Sequence, residues 1–308
     1  MDNLPLISCI TPTFNRSSLI REAIESNLAQ IYPNWEMLII DDQSTDDTWQ
    51  VINDYAEKDA RIRCFKNPLK GANNARNLGI EQAKGKYLVF LDDDDVNLPH
   101  RFKSQVECLQ KSGSRFILTG FEIRDRSNKL YKKTNRKILQ GIAAHFLVRW
   151  MIEKTLIQEA GCFDPEMMSM QEIELSYRIA TLYTFDQQDD VVVKVYNTHD
   201  SISKGISGIK GKLKLIDKAG HLMPAEEKAS WYYAIALNSL RINRIDDALH
   251  YFGKATDLSK QLKKHERVFR AVAILSVKLK AGLWSSRLLA RTFKQKFSEI
   301  VNHRVIQC

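Results

Sequence analysis

The first hundred residues alternate between short apolar runs and segments whose apolar side chains recur at helical spacing. The apolar runs predict buried strands at Leu6–Thr11, Met37–Ile40, Arg61–Phe65 and Tyr87–Leu91. The helical spacing predicts helices over 19–28, 46–57 and 73–83. Ser17 or Ser18 is expected to cap the first of these helices. Strands that are apolar throughout and separated by helices are typical of a mostly parallel sheet with helices on both faces.

From about residue 101 the alternation becomes less regular. The pattern predicts helices over 101–110 and 171–182, and strands over 115–120 and 191–196. The polar and basic stretch Arg124–Lys137 predicts a loop, and Ser201–Gly211, rich in Gly, Ser and Lys, predicts a linker.

After about residue 224 the pattern is purely helical. Two facing apolar stripes run through Trp231–Leu258, with a turn predicted near Asn243. The offsets are similar to one tetratricopeptide-type helix pair, and an ordinary helical hairpin explains them equally well. The chain is therefore predicted to comprise an α/β domain over 1–210 and a small all-α region over 211–308.

The net charge, the cysteine spacing and the hydropathy of the sequence exclude several classes of protein. The 308 residues carry a net charge of +9, which favours an acidic partner: nucleotide phosphate, nucleic acid or an anionic membrane surface. The apolar stretch Ile142–Ile152 is interrupted by His145 and Arg149, so no run approaches the ~18 residues of a membrane span. No signal peptide is expected, because the first residues, Met-Asp-Asn-Leu-Pro, lack a basic leader. The five scattered cysteines include no Cys-x-x-Cys pair, so a cytoplasmic protein is expected.

Two acidic clusters follow predicted strands, where open α/β sheets bind their ligands. Asp41 and Asp42 come directly after the second strand, and Asp92–Asp95 come directly after the fourth. For the first pair, a turn leading to a helix cap is the alternative. Four consecutive aspartates repel one another unless a cation or hydrogen-bond donors offset their charge. Hard oxygen ligands favour Mg²⁺ or Mn²⁺, completed by a diphosphate. Arg76, in a helix that begins with small residues, could meet a phosphate or a base.

Four blocks of sequence together resemble family 2 glycosyltransferases with the GT-A fold, a Rossmann-like architecture. They are ISCITPTFNR from Ile7, LIIDDQSTD from Leu38, ARNLG from Ala75 and GKYLVFLDDDD from Gly85. GCFD from Gly161 and QEIELSYR from Gln171 resemble the acceptor-side block of the same family. The resemblance covers roughly residues 5–200 and does not extend to the helical C-terminus.

The resemblance implies a metal-dependent, inverting hexosyltransferase that uses a nucleotide-sugar donor. Asp42 would bind the base, which favours UDP or dTDP, and Arg76 would also face the nucleotide. Asp94 would coordinate the metal, Mn²⁺ or Mg²⁺, and Asp93 would bind the ribose. Asp92 belongs to the same metal motif, although four aspartates leave its register open. The remaining residues of the nucleoside pocket would be Thr11, Pro12 and Phe14.

An inverting transfer also needs a base that removes the proton of the acceptor hydroxyl. The family has an aspartate at the position of Glu172, whose side chain is one methylene longer. Glu174 is the competing candidate, but it points to another side of the helix. In the alternative, both are solvated helix carboxylates, with Arg178 as the i+4 partner of Glu174. His199 is a further candidate for metal or phosphate contact, with a hydrogen bond within its loop as the alternative. Gly205–Lys214 is a candidate for a lid over the donor and equally for a disordered linker.

The stretch from Lys260 to Arg304 is strongly basic, with interleaved apolar residues. This pattern predicts either an amphipathic membrane-surface helix, suited to a lipid-linked saccharide acceptor, or a helix packed on the core. The resulting hypothesis is a cytoplasmic enzyme of polysaccharide or glycolipid synthesis, in contact with the inner face of the membrane. The alternative is a nucleotide-binding interaction scaffold without transferase activity. A nucleic-acid partner is not expected, because no recognition motif accompanies the charge.

Overall fold

The computed structural model describes residues 4–134, 146–196 and 205–258. Their backbone divides into two compact units. The first unit comprises residues 4–167 and 171–196, and the second comprises 168–170 and 205–258. The predicted boundary at residues 210 and 211 lies inside a helix of the second unit, and the division into domains 1–210 and 211–308 stays a prediction.

In the described residues, the first unit contains nine strands, six α-helices and the short 3₁₀ helix Leu147–Arg149. The strands are β1 (Ile7–Thr13), β2 (Trp35–Asp41), β3 (Ile62–Lys66), β4 (Tyr87–Phe90), β5 (Val96–Asn97), β6 (Phe116–Arg124), β7 (Leu130–Thr134), β8 (Trp150–Glu153) and β9 (Asp186–Tyr196). The helices are α1 (Ile20–Leu28), α2 (Thr48–Lys58), α3 (Ala72–Gln82), α4 (Arg101–Ser112), α5 (Lys154–Glu159) and α6 (Gln171–Leu182).

The strands form one mixed sheet in the order β3-β2-β1-β4-β8-β6-β9-β5, with β7 paired to β6. The first four strands of this order are parallel, with Ile10 of β1 beside Leu38 of β2 and Phe90 of β4. Beyond them β8 is antiparallel to both β4 and β6, whereas β9 runs parallel to β6. The parallel half predicted from the sequence is confirmed, and the second half is mixed.

Both faces of the sheet are covered by helices. Because successive strand residues point to opposite faces, Ile7 and Cys9 of β1 pack on one side and Ile10 on the other. Helices α1, α2 and α4 supply apolar side chains to the first core, and α3, α5 and α6 supply them to the second. This is the predicted fold class, and it directs the carboxyl ends of β1, β2 and β4 to one edge.

Three local predictions are wrong, each for a physical reason. The segment predicted as a loop contains β7, an edge strand whose lysines hide its period. The predicted linker becomes helix α7 (Gly205–Ala219) from residue 205 onward. A Cβ on its Gly211 would clash with Ser169 Oγ, so this glycine permits close packing. Helix α1 begins after Leu19 without a side-chain cap, so neither Ser17 nor Ser18 caps it.

The second unit consists of α7, α8 (Ala225–Arg241) and α9 (Ile245–Leu258) in the described part of the chain. Helices α8 and α9 pack through Tyr233, Ala236 and Leu240 against Ala248, Phe252 and Ala255. The predicted turn lies at Asn243, whose φ is 62°. The likeness to a tetratricopeptide pair stays a prediction. His199 and the basic stretch from Lys260 to Arg304 lie outside the described residues.

Helices in the described ranges are too short or too polar to cross a bilayer.

A buried carboxylate on β2 makes stability depend on pH. Burial alone would raise the pKa of Glu36, but hydrogen bonds from Lys84 N–H, Ser8 Oγ and Arg63 lower it below its ordinary value of 4.5. The unfolded chain therefore binds more protons than the folded one, and stability is lost as pH falls from 4.5 through the lowered pKa. We expect Glu36→Gln to weaken the loss of stability between about pH 5 and 3. Urea unfolding against pH measures this, and an unchanged slope would contradict it. Glu57→Gln, at an exposed position, is the control.

A glycine before β4 is required by a close backbone contact. A Cβ on Gly85 would lie 2.7 Å from Ser8 N and 2.8 Å from Leu6 O, which are backbone atoms of and beside β1. We expect Gly85→Ala to lower the free energy of unfolding by about 1–3 kcal/mol. In contrast, Gly253→Ala on α9 meets nothing within 4 Å and should be neutral or slightly stabilising. Chemical unfolding of both variants checks this, and equal stabilities would contradict it.

Candidate active site

An acidic loop follows β4 at the carboxyl edge of the sheet. Asp95 is buried and its Oδ1 accepts a hydrogen bond from Tyr196 N–H at 3.0 Å. Burial raises the pKa of Asp93 to about 6, and neighbouring carboxylates add to that rise. Burial likewise raises the pKa of Asp94, where Asp92 contributes further. Arg16 Nε lies 3.8 Å from Asp93 Oδ1 and offsets part of the negative charge. The loop therefore concentrates negative charge that its surroundings do not fully compensate.

Arg76 lies beside this loop, and its contact with a nucleotide stays a prediction. The first turns of α3 carry it into a buried position, 6% exposed, where Nη2 donates to Asp92 Oδ1 at 3.2 Å. Its Nη1 donates to Asn73 Oδ1 at 3.3 Å. Among the described residues, the buried Nε has no hydrogen-bond partner. A buried guanidinium that retains an unused donor is suited to binding an anion.

Asp42, directly after β2, is part of the same edge and is engaged within the protein. Its Oδ1 accepts hydrogen bonds from Asn67 Nδ2 at 2.6 Å and from Gly71 N–H at 2.8 Å. Gly71 has a φ of 123° and precedes α3, so Asp42 ties the end of β2 to the helix that carries Arg76. A carboxylate has about four acceptor sites, so capacity for a ligand is retained. Contact with a base stays a prediction.

The end of β1 supplies the remaining predicted pocket residues. Thr11 and Pro12 are within β1, and Thr11 Oγ1 is buried without a hydrogen-bond partner among the described residues. Phe14 follows the strand, is 42% exposed and has Lys70 Nζ 5.1 Å from its ring centroid. An exposed aromatic ring beside a cation can stack on a planar ligand.

Glu172, at the start of α6, faces the same charges. Burial raises the pKa of its carboxyl group, hydrogen bonds from the N–H groups of Glu172 and Phe146 lower it, and so does Arg76. Asp92 raises it. Glu172 is thus within electrostatic reach of the ion pair between Arg76 and Asp92. A carboxylate whose pKa is shifted toward neutrality is suited to general-base chemistry.

Glu174 is paired with Arg178. Its carboxylate is buried and accepts hydrogen bonds from Arg178 Nε at 2.8 Å and Nη2 at 2.7 Å. This is the i+4 pair that the sequence offered as an alternative. The two glutamates of the helix therefore differ, because Glu174 is paired with Arg178 whereas the charges of Arg76 and Asp92 act on the pKa of Glu172.

The donor set of the acidic loop fits a hard divalent cation held in part by the protein. In residues 4–134, 146–196 and 205–258, no three Asp, Glu, His or Cys side chains form a group that could hold a metal. Mg²⁺ usually needs only one or two carboxylates, with substrate phosphates and water as the other ligands. Asp92, which also binds Arg76, and Asp94 can supply such a partial set.

Sequence patterns did not identify several residues that hold this site together. Arg126 Nη2 donates to Asp94 O at 3.0 Å, and its guanidinium lies over the Tyr196 ring. Asn73 and Asn77 of α3 bond to backbone groups near residue 163. Asn77 belongs to the block ARNLG that begins at Ala75, so the sequence analysis included this residue but assigned it no role. No sequence pattern pointed to Arg126, because it lies on a polar hairpin far in sequence from the blocks that carry the predicted site residues.

This sheet order, with helices on both faces and acidic residues after β4, defines the GT-A class of glycosyltransferase fold. The S. aureus TarS 1–349 structure in complex with UDP shares it, with a TM-score of 0.62, 16% identity and coverage of 94% of this chain and 91% of that one. The TarS 1–349 complex with UDP-GlcNAc gives a TM-score of 0.55 at 17% identity, over 83% of this chain and 74% of that one. At these identities the likeness concerns the fold.

The chain belongs to glycosyl transferase family 2, whose model matches residues 8–178. A Bacillus subtilis protein named as a teichuronic acid biosynthesis glycosyltransferase, TuaG, is 38% identical over 39% of this chain and 48% of its own length. The Escherichia coli UDP-Glc:alpha-D-GlcNAc-diphosphoundecaprenol beta-1,3-glucosyltransferase WfaP is 40% identical over 39% of this chain and 47% of its own. The chain thus spans about half the length of these curated relatives.

Proposed function

We propose that this chain is an inverting hexosyltransferase that moves a sugar from a UDP-sugar or dTDP-sugar donor to a hydroxyl acceptor in polysaccharide or glycolipid synthesis, with UDP or dTDP as the leaving group. One observation carries the proposal: Glu172 lies within electrostatic reach of the Arg76–Asp92 ion pair at the carboxyl edge of the sheet. A base, a cation for phosphate and an acidic loop are thereby combined in one site. These are the groups that nucleotide-sugar transfer requires.

In this proposal each side chain has a separate task. Glu172 accepts the proton of the acceptor hydroxyl as that oxygen attacks the anomeric carbon. Arg76 binds the donor phosphates through its unused Nε–H, and Asp42 accepts a hydrogen bond from the ring N–H of uracil or thymine. Asp93 binds the ribose, and Thr11, Pro12 and Phe14 enclose the nucleoside.

The proposal includes a divalent metal, Mn²⁺ or Mg²⁺, held by Asp94 and Asp92. When bound, such an ion would neutralise the negative charge that develops on the leaving diphosphate. The charge of the acidic loop and the raised pKa of Asp94 support this assignment, because crowded carboxylates are stabilised by a cation.

The relatives favour a lipid-linked saccharide as the acceptor. WfaP is named for transfer from UDP-Glc to a diphosphoundecaprenol-linked GlcNAc, in a beta linkage. Because the sugar of UDP-Glc is alpha-linked, a beta product means inversion. The proposal accordingly includes a cytoplasmic location, with contact at the inner face of the membrane through the basic C-terminal stretch.

The direct test is turnover with a panel of donors. We would incubate the chain with UDP-glucose, UDP-GlcNAc, dTDP-glucose or GDP-mannose, Mn²⁺ and an alpha-GlcNAc-diphospholipid, and follow nucleotide release and the anomeric signal of the product by NMR. Release of UDP or dTDP with a beta-linked product supports the proposal. An alpha-linked product would refute inversion, and no release from any donor would refute the proposed function.

A further inference from the structure

The loop between α5 and α6, residues 160–167, is held from two sides by side chains that have no role in the proposed chemistry. From α3, Asn77 Nδ2 donates to Phe163 O at 2.8 Å, and Asn77 Oδ1 accepts from Phe163 N–H at 3.0 Å. One amide therefore pairs with both polar groups of a residue 86 positions away. Such a two-point bond fixes the distance and the orientation of the loop relative to α3.

The same helix face adds a second attachment. Asn73 Nδ2 donates to Asp164 O at 2.9 Å and to Met167 O at 2.8 Å. Its Oδ1 accepts from Arg76 Nη1, so this side chain joins the loop to the predicted donor site.

From α6, Arg178 holds the opposite side of the loop. Its Nη2 donates to Cys162 O at 2.7 Å, and Nη1 donates to Ala160 O. Glu174 orients the guanidinium through its two short hydrogen bonds. Glu172 lies in the first turn of the same helix, and the loop connects α6 with α3 through polar bonds at both ends.

The side chain of Phe163 lies close to Phe90 and to Arg76. It is buried, and its ring packs edge-on against Phe90 at a centroid distance of 5.5 Å. Phe90 ends β4, directly before the acidic loop. Arg76 Cζ lies 5.8 Å from the same ring centroid. A displacement of residue 163 would therefore alter the relation of α6 to Arg76 and to the acidic loop.

We propose that Asn77 is a positioning residue, which clamps Phe163 and so fixes Glu172 relative to the donor site. This inference rests on the proposed function and adds a residue to it. Asn77 touches neither Arg76 nor an acidic side chain in the described hydrogen bonds, so its loss should affect base placement more than donor affinity. A misplacement of about 1 Å can reduce a rate about 100-fold.

The test compares Asn77→Ala and Asn77→Asp with Asn74→Ala. Asn74, on the same helix, donates only to Lys70 O in the described hydrogen bonds and does not reach the loop, so it is a matched control. Asn77→Asp retains the shape and the acceptor for Phe163 N–H but loses the donor to Phe163 O. The probes are hydrogen exchange at the Phe163 amide, calorimetric binding of UDP with Mn²⁺, and UDP release from UDP-glucose with water as the acceptor.

We expect both Asn77 variants to exchange the Phe163 amide faster and to release UDP at least about tenfold more slowly. Their affinity for UDP should be within about threefold of that of the wild type, and Asn74→Ala should match the wild type. Unchanged exchange, or turnover and UDP affinity that fall together, would overturn the positioning role. If the wild type neither binds UDP nor releases it, the proposed function fails and the positioning role with it, while the exchange data still report whether the clamp exists.

Discussion

Glu172→Gln is expected to reduce glycosyl transfer by about 10²- to 10⁴-fold while UDP binding is retained. Glutamine keeps the length and shape of the side chain but cannot accept the acceptor proton. Because the pKa of Glu172 is raised chiefly by burial, the wild-type kcat/KM should fall as pH decreases through that raised value. The acidic limb should be absent in the variant. Steady-state kinetics against pH, with UDP calorimetry at neutral pH, measure both effects.

Two other glutamates serve as controls for this prediction. Glu81→Gln removes an exposed carboxylate of α3 and should leave both rate and pH profile unchanged. Glu174→Gln weakens the buried pair with Arg178 and should lower Tm without removing the acidic limb. A Glu172→Gln variant with wild-type turnover would contradict the assignment of the base. Nucleotide binding by the wild-type chain without any transfer would instead favour the alternative of an interaction scaffold.

Asp94→Ala is expected to abolish the Mn²⁺-dependence of UDP binding. The substitution removes one of the carboxylates whose mutual repulsion a cation would relieve, and leaves Asp92 already engaged with Arg76. A loss of metal-dependent affinity of at least about tenfold corresponds to about 1.4 kcal/mol. Calorimetric titration with Mn²⁺ and with EDTA separates this effect from direct contacts to the nucleotide.

The control for this variant is Asp257→Ala, which removes an exposed carboxylate on α9 in the other unit. It changes the net charge equally and should bind UDP as the wild type does. If Asp94→Ala retained a full Mn²⁺ response, the metal would be held by other groups, and the proposed role of Asp94 would be wrong.

The parallel half of the fold could be predicted because its physical signal is local. Strands β1, β2 and β4 are buried on both faces and therefore appear as largely apolar runs. The acidic clusters could be assigned to the sheet edge for the same reason, since each follows such a run. In contrast, β8 is four residues long and inserts antiparallel between β4 and β6, an order that no local pattern specifies.

The contacts that shape the site could not be predicted, because they join distant residues. Nothing in the sequence near Asp42 indicates that Asn67 and Gly71 would donate hydrogen bonds to its carboxylate. The same holds for the Asn77–Phe163 clamp, which forms only when α3 and the loop before α6 meet in the fold. The difference between Glu172 and Glu174 could be predicted in part from the sequence, because residues at positions i and i+2 of a helix point to different sides.

The central claim is that the carboxyl edge of the sheet binds a nucleotide diphosphate. Calorimetric titration of the wild-type chain with UDP, dTDP, GDP and ADP, each with Mn²⁺ and with EDTA, tests it without knowledge of the acceptor. We predict Mn²⁺-dependent binding of UDP or dTDP, and weaker binding of GDP and ADP. Adenine has no N–H in its six-membered ring to donate to Asp42, and guanine carries its ring N–H on a larger purine base. Absence of binding by all four nucleotides, in a protein shown to be folded by circular dichroism, would contradict the account.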